Sequence, residues 1–117
     1  MNDIRIGVVE SKFADIIWQN EPISSGDLVR LCQEALSWKK PTTYNVLRKL
    51  CEKGIFQNVH GTVTSLIGRN EFYAMQGETL VNEAFDGSLP AFIAAFTKRN
   101  SLTQKEADEI RKMIDTF

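Results

Sequence analysis

Little in this chain is suited to covalent or metal chemistry. One histidine, His60, and two cysteines, Cys32 and Cys51, fall short of the four ligands that a structural zinc site needs within one chain. No glycine-rich phosphate loop follows a strand, and no paired carboxylates face an evident cleft. An enzyme is therefore not expected, and neither is a metal or any other cofactor. No window approaches the run of about 18 apolar residues that crosses a membrane, so no membrane partner is expected. The N-terminal MNDIRIGVVES lacks the basic stretch and apolar core of a secretory signal, and a cytoplasmic location is the expectation. Both cysteines sit in helical apolar patterns and read as buried, reduced thiols. Repeats, low-complexity tracts and long linkers are missing too. That leaves one domain, or one domain with a helical appendage, in 117 residues.

A net charge of −1 argues against a nucleic-acid partner until its distribution is considered. Nine Lys/Arg stand against seven Asp/Glu through residue 70, and five against eight beyond it. Between residues 36 and 61 the basic residues are Lys39, Lys40, Arg48, Lys49 and Lys53, against Glu52 alone. This is a focused basic patch on a neutral-to-acidic chain, and not a polybasic tail.

Hydrophobic periodicity orders the elements. Residues 8–19 put Val9, Phe13, Ile16 and Ile17 at helical spacing with Trp18 beside them, and Pro22 ends that helix. ISSGDLVRLCQEAL opens a second helix with Ser24 or Ser25 as N-cap and Asp27 in the first turn. Its stripe is Leu28, Leu31, Cys32 and Leu36. Pro41 starts a third helix, which should bury Thr43, Val46, Leu47, Leu50 and Cys51 and close on Gly54. The period then changes. IFQNVHGTVTSLI alternates around His60-Gly61, a β-hairpin whose Ile55, Val59 and Val63 should pack back on the helices. Three helices and a hairpin make the winged helix-turn-helix order, with the third helix for recognition and the hairpin as the wing. The fold class is thus mainly α with a small β-hairpin wing. A winged helix-turn-helix DNA-binding domain covers residues 1–69, and a C-terminal helical region covers 70–117.

That helical region places helices at 71–85, 89–98 and 103–116. Ser88 and Pro90 suit a cap and first turn, and Thr103 and Glu106 form a capping box. It displays Leu80, Val81, Phe85, Leu89, Phe92, Ile93, Phe96, Ile110, Met113, Ile114 and Phe117, four of the chain's seven phenylalanines among them. Three short helices hold little interior of their own. Burial against a second copy in a two-fold homodimer is therefore expected, against the competing reading of one core shared with the N-terminal domain. A dimer also doubles the DNA half-site, which brings affinity and selectivity into a useful range.

On the third helix, Thr42, Tyr44, Asn45, Arg48, Lys49 and Glu52 fall away from the buried stripe. Thr42, Asn45, Lys49 and Glu52 share one face. Asn pairs with adenine, Arg and Lys reach guanine or phosphate, and Thr offers a methyl to thymine. The Tyr44 hydroxyl and ring suit phosphate or base-edge work. Any solvated helix face can carry these residues, so it is the third position in the winged order that points to DNA. Lys39 and Lys40 add charge just ahead of them, and His60 at the wing turn adds it only at lower pH.

TTYNVLRKLCEKGIF resembles the T-V-x-T-x-L-x-R-L-x-x-K-G-[IL] signature of the penicillinase-repressor family. ESKFADIIW is similar to that family's E-x-x-V-M-x-x-I-W segment. FDGSLPAFIAAF is similar to its F-x-G-S-x-x-x-L-[VI]-x-x-F stretch, which an E-[IL]-x-x-[LI]-x-x-[IL] helix follows. In series these cover roughly residues 8–116. The resemblance implies a homodimeric winged-helix repressor on a palindromic double-stranded DNA operator. In that pattern Pro41, Thr42, Tyr44, Asn45 and Lys49 face the operator and the wing touches its backbone. Asn45 stands where the family usually has threonine and Lys49 where it has arginine, which leaves the operator sequence open. The wing, NVHGTVTS, is less basic than the family's. The antibiotic-response branch implies a sensor protease as a further partner, with Ala95-Phe96 in IAAFTK as the candidate bond, buried in a helix until it opens locally. The copper-response branch uses C-terminal Cys-x-Cys motifs that this sequence lacks, which argues against copper switching.

Two rival readings stand beside the repressor. A winged-helix module that binds protein and not DNA is favoured slightly by the acidic balance and the weakly basic wing. A small-molecule pocket lined by the C-terminal phenylalanines is the other. Salt-dependent binding to DNA separates the repressor from the protein-binding module.

Overall fold

The computed structural model describes residues 4–117. Residues 1–3, part of the stretch read above for a secretory signal, lie outside the described residues. Two compact units divide at Gln76 and Gly77. The first contains α1 (Val8–Asn20), β1 (Ile23–Ser24), α2 (Ser25–Leu36), α3 (Lys40–Glu52), β2 (Phe56–Val59), β3 (Thr62–Ser65) and the beginning of α4 (Arg69–Ala84). The second contains the rest of α4, α5 (Leu89–Arg99) and α6 (Gln104–Thr116). From the sequence the boundary was expected ahead of the fourth helix. The first two turns of α4 belong with the first unit, and they carry Phe72, which is fully buried there.

Local sequence sets the ends of the helices. The Glu10 carboxylate accepts the Gly7 N–H at the start of α1, and α1 stops at Glu21, ahead of Pro22. Ser24 caps α2 by accepting the Asp27 N–H at 3.1 Å. Ser37, in the left-handed region, ends α2 and opens the short turn into α3. Gly54, with φ +82°, turns the chain out of α3 where a β-carbon would be strained.

The three helices enclose Phe13, Ala14, Ile17, Leu28, Cys32, Leu47 and Leu50, all buried. Each large apolar side chain in this set stabilises the unit by about 1.5–3 kcal/mol. Val46 and Cys51 are only partly covered. Val9, expected in the α1 stripe, is 52% exposed, because the first turn of that helix lies outside the buried cluster. Two tryptophans close the sides. Trp38 stacks on Phe13 at 5.5 Å, and Trp18 donates its indole N–H to the Ile67 carbonyl while its ring meets Phe56 and Phe72.

The wing is part of a three-stranded antiparallel sheet in the order β1-β3-β2. Ile23 pairs with Val63, and Phe56 and Asn58 pair with Ser65 and Val63. The sequence reading placed a two-stranded hairpin here; β1, at two residues, is too short to show a period. The inward set also needs correction. Ile55 and Val63 are buried as expected, but Val59 is 51% exposed and Phe56 is buried in its place. Strand pairing begins at Phe56, and a period of two from there puts Phe56 and Val59 on opposite faces, with Phe56 the one buried residue of β2. The turn itself holds His60 at φ 51° and Gly61 at φ 81°, the paired positive values of a tight two-residue hairpin. The Glu21 carboxylate accepts both the Ser65 N–H and its hydroxyl, which ties the end of α1 to β3.

In the second unit, Ser88 caps α5 through the Ala91 N–H. Thr103 and Glu106 exchange their reciprocal bonds at the start of α6. The Thr103 N–H holds the exposed Glu106 carboxyl below its ordinary pKa. No residue of α5 or α6 is buried. None of the helices among the described residues is long and apolar enough to cross a membrane.

Candidate nucleic-acid interface

Burial of Thr43, Leu47 and Leu50 fixes the rotation of α3. The opposite face then follows from helical geometry. Thr42, Asn45, Arg48 and Lys49 are exposed, and so are Pro41, Lys40 and Lys39 at the leading end. Arg48 approaches Glu52 at 4.0 Å, with both side chains about 70% exposed. An ion pair so open contributes little, and it leaves the guanidinium free to turn toward another anion. Lys53, counted in the basic patch, is engaged elsewhere: its ammonium donates to the Arg5 carbonyl at 2.6 Å. His60 is exposed at the tip of the wing.

Tyr44 is placed differently from its neighbours. It is half-buried, and its hydroxyl donates to the Ser25 hydroxyl at 3.1 Å. The Lys40 ammonium lies 5.9 Å from the centre of its ring. A recess of about 380 Å³ opens beside Tyr44, lined by Asn45, Leu47, Arg48, Cys51 and Asn58. Asn58 was not singled out from the sequence. Counting alternate residues from Phe56 would have found it, since that places Asn58 on the face of β2 turned toward α3.

Neither thiol is set up for ionic chemistry. Burial raises the pKa of Cys32, opposed by a hydrogen bond with Thr43. Burial raises that of Cys51 as well, and the neighbouring Glu52 carboxylate adds to the effect. Both stay protonated at neutral pH, and thiols are weak nucleophiles and ligands in that form.

The residues expected at a dimer contact lie together in the second unit. Leu80, Leu89, Ile93, Phe96, Ile110, Met113 and Ile114 are exposed, and Val81, Phe85 and Phe92 are half-buried. Phe92 links the set, with its ring 5.5 Å from Phe85 and 6.0 Å from Phe96. Two apolar recesses interrupt this surface. One of about 320 Å³ lies between the end of α4 and α5, and one of about 180 Å³ between α5 and α6. Ala95 and Phe96 occupy the middle of α5. Their bond was expected to be buried, but both side chains are exposed, and what restricts access is the helical backbone itself.

Comparison with known proteins gives a consistent result over nearly the whole length. The sequence model of the family described as penicillinase repressor matches residues 6–116. The methicillin resistance regulatory protein MecI of Staphylococcus aureus strain Mu50 is 21% identical over 114 residues, covering 94% of this chain and 93% of that protein. The MecI of Mammaliicoccus sciuri is 20% identical over the same length. The penicillinase repressor of Staphylococcus aureus is 21% identical over 116 residues, covering 96% of this chain and 92% of that protein.

Proposed function

The chain belongs to the penicillinase repressor family, and on that footing we propose that it is a transcriptional repressor that binds a palindromic operator as a homodimer. The observation that carries this reading is the exposed ladder of Thr42, Asn45 and Lys49 on a helix whose other side is locked into the core. Such a helix presents its polar face at a fixed angle, which base recognition in the major groove requires. Asn45 and Lys49 are assigned to base edges and Thr42 to a thymine methyl. Lys39, Lys40 and Arg48 are assigned to phosphates at either end of the helix, and Pro41 packs its ring at the point of entry. His60 brings the wing tip to the DNA backbone.

The apolar face of α4, α5 and α6 is assigned to the second copy. A two-fold axis through it would set two recognition helices on the two halves of the operator. Relief of repression then follows from any event that opens that face. Cleavage between Ala95 and Phe96 by a sensor protease would do so by severing α6 from the rest of the contact.

The test is substitution within the ladder. Asn45→Ala and Lys49→Ala are each expected to weaken binding to an operator duplex by about 1–3 kcal/mol, measured by fluorescence anisotropy. Asn45→Ala should also relax discrimination at one base pair. Unchanged affinity in both variants would sink the assignment of α3.

A further inference from the structure

We propose that Tyr44 is not an operator-reading residue but a positioning residue, holding the wing turn and the start of α2 in register with the recognition helix. The inference rests on the DNA-binding role assigned to α3 above. Its basis is a short chain of hydrogen bonds across three elements. The Tyr44 hydroxyl on α3 donates to the Ser25 hydroxyl at 3.1 Å. Ser25 opens α2, and its N–H donates to the carbonyl of Gly61 in the wing turn at 2.8 Å. A β-carbon on Gly61 would stand 3.9 Å from the Ser25 hydroxyl, so the turn packs directly against that group.

The wing needs such an anchor. Its apolar contacts end at Phe56 and Val63, and beyond them Val59 and His60 are exposed. The far end of the hairpin is therefore held by polar bonds: the pairing of Ser24 with Thr62 and the Ser25–Gly61 bond. Tyr44 fixes the side chain of the residue that makes the second of these. A phenol carries one hydrogen, and phosphate oxygens only accept. Tyr44 therefore cannot donate to Ser25 and to a phosphate oxygen at the same time. Hydroxyls linked in series also polarise one another, which tightens the whole path.

Tyr44→Phe, Ser25→Ala and the double variant separate this role from direct contact. The probe is a duplex that the wild-type protein selects from a random-sequence pool, with a scrambled duplex as control. Each single variant is expected to bind the selected duplex about three- to tenfold more weakly. The double variant should be no weaker than either, because both remove one shared path. The slope of log affinity against log salt should stay at the wild-type value, since neither substitution removes a charge. In the free protein, exchange of the Ser25 amide hydrogen should accelerate in Tyr44→Phe. Additive losses in the double variant would mean that Tyr44 reaches the DNA by a path of its own, and would overturn the inference. So would unchanged affinity or unchanged Ser25 exchange. A wild-type protein that binds both duplexes alike overturns the repressor reading itself, and the wild-type titration alone identifies that case.

Discussion

Phe56→Ala is expected to destabilise the first unit by about 3–5 kcal/mol, the range for removing a buried aromatic ring. Phe56 is fully buried at the first position of the wing, with its ring 5.3 Å from Trp18. Trp18 in turn touches Phe72 and bonds the Ile67 carbonyl. Emptying the Phe56 site therefore loosens the wing, α1 and the start of α4 together. Against a total of roughly 5–15 kcal/mol for a domain, the loss should lower the melting temperature by roughly 12–40 °C. Thermal unfolding followed by circular dichroism measures it. Val59→Ala, three residues along the same strand, should shift stability by no more than about 0.5 kcal/mol, because Val59 is half exposed. Equal losses at the two positions would contradict the strand register.

Phe96→Asp should act on assembly and leave the fold of the first unit intact. Phe96 is 47% exposed in the single chain and borders the apolar recess shared by Ile93, Leu102 and Ile110. In the proposed dimer that surface is covered. A carboxylate there would be buried without a partner, a defect worth roughly 3–5 kcal/mol. The dimer dissociation constant should rise by roughly a hundredfold or more, read by sedimentation equilibrium. Operator affinity should fall with it, since a monomer spans one half-site. A variant that sediments as a dimer at the same concentrations would remove the face from the interface.

The helical elements were legible because each carries its own punctuation. Ser24, Pro41, Gly54, Ser88 and the Thr103–Glu106 pair mark ends by local hydrogen bonding or backbone geometry, and the structure uses all of them. What escaped depends on pairing between distant residues. β1 exists only because Ile23 and Ser24 meet Val63 and Thr62, and no two-residue stretch announces that. Alternation from Ile55 points Val59 inward, but Ile55 lies before the strand and Val59 faces out. Tyr44 looked like one more polar residue on an open face, and its bond to Ser25, nineteen positions away, has no sequence signature. The apolar surface of the last three helices was legible as composition. The sequence could not fix which of its residues stand clear of the unit, and the geometry puts Met113 and Ile114 among the most open.

Selection of duplexes from a random-sequence pool by the full chain, at moderate salt and with competitor DNA, tests sequence-specific repression most directly. Convergence on an inverted repeat is the expected result, with half-site centres about 10–10.5 base pairs apart or a multiple of that. A pool that stays random, with a protein shown to be dimeric in the same buffer, would contradict it and leave the winged helix as a protein-docking module.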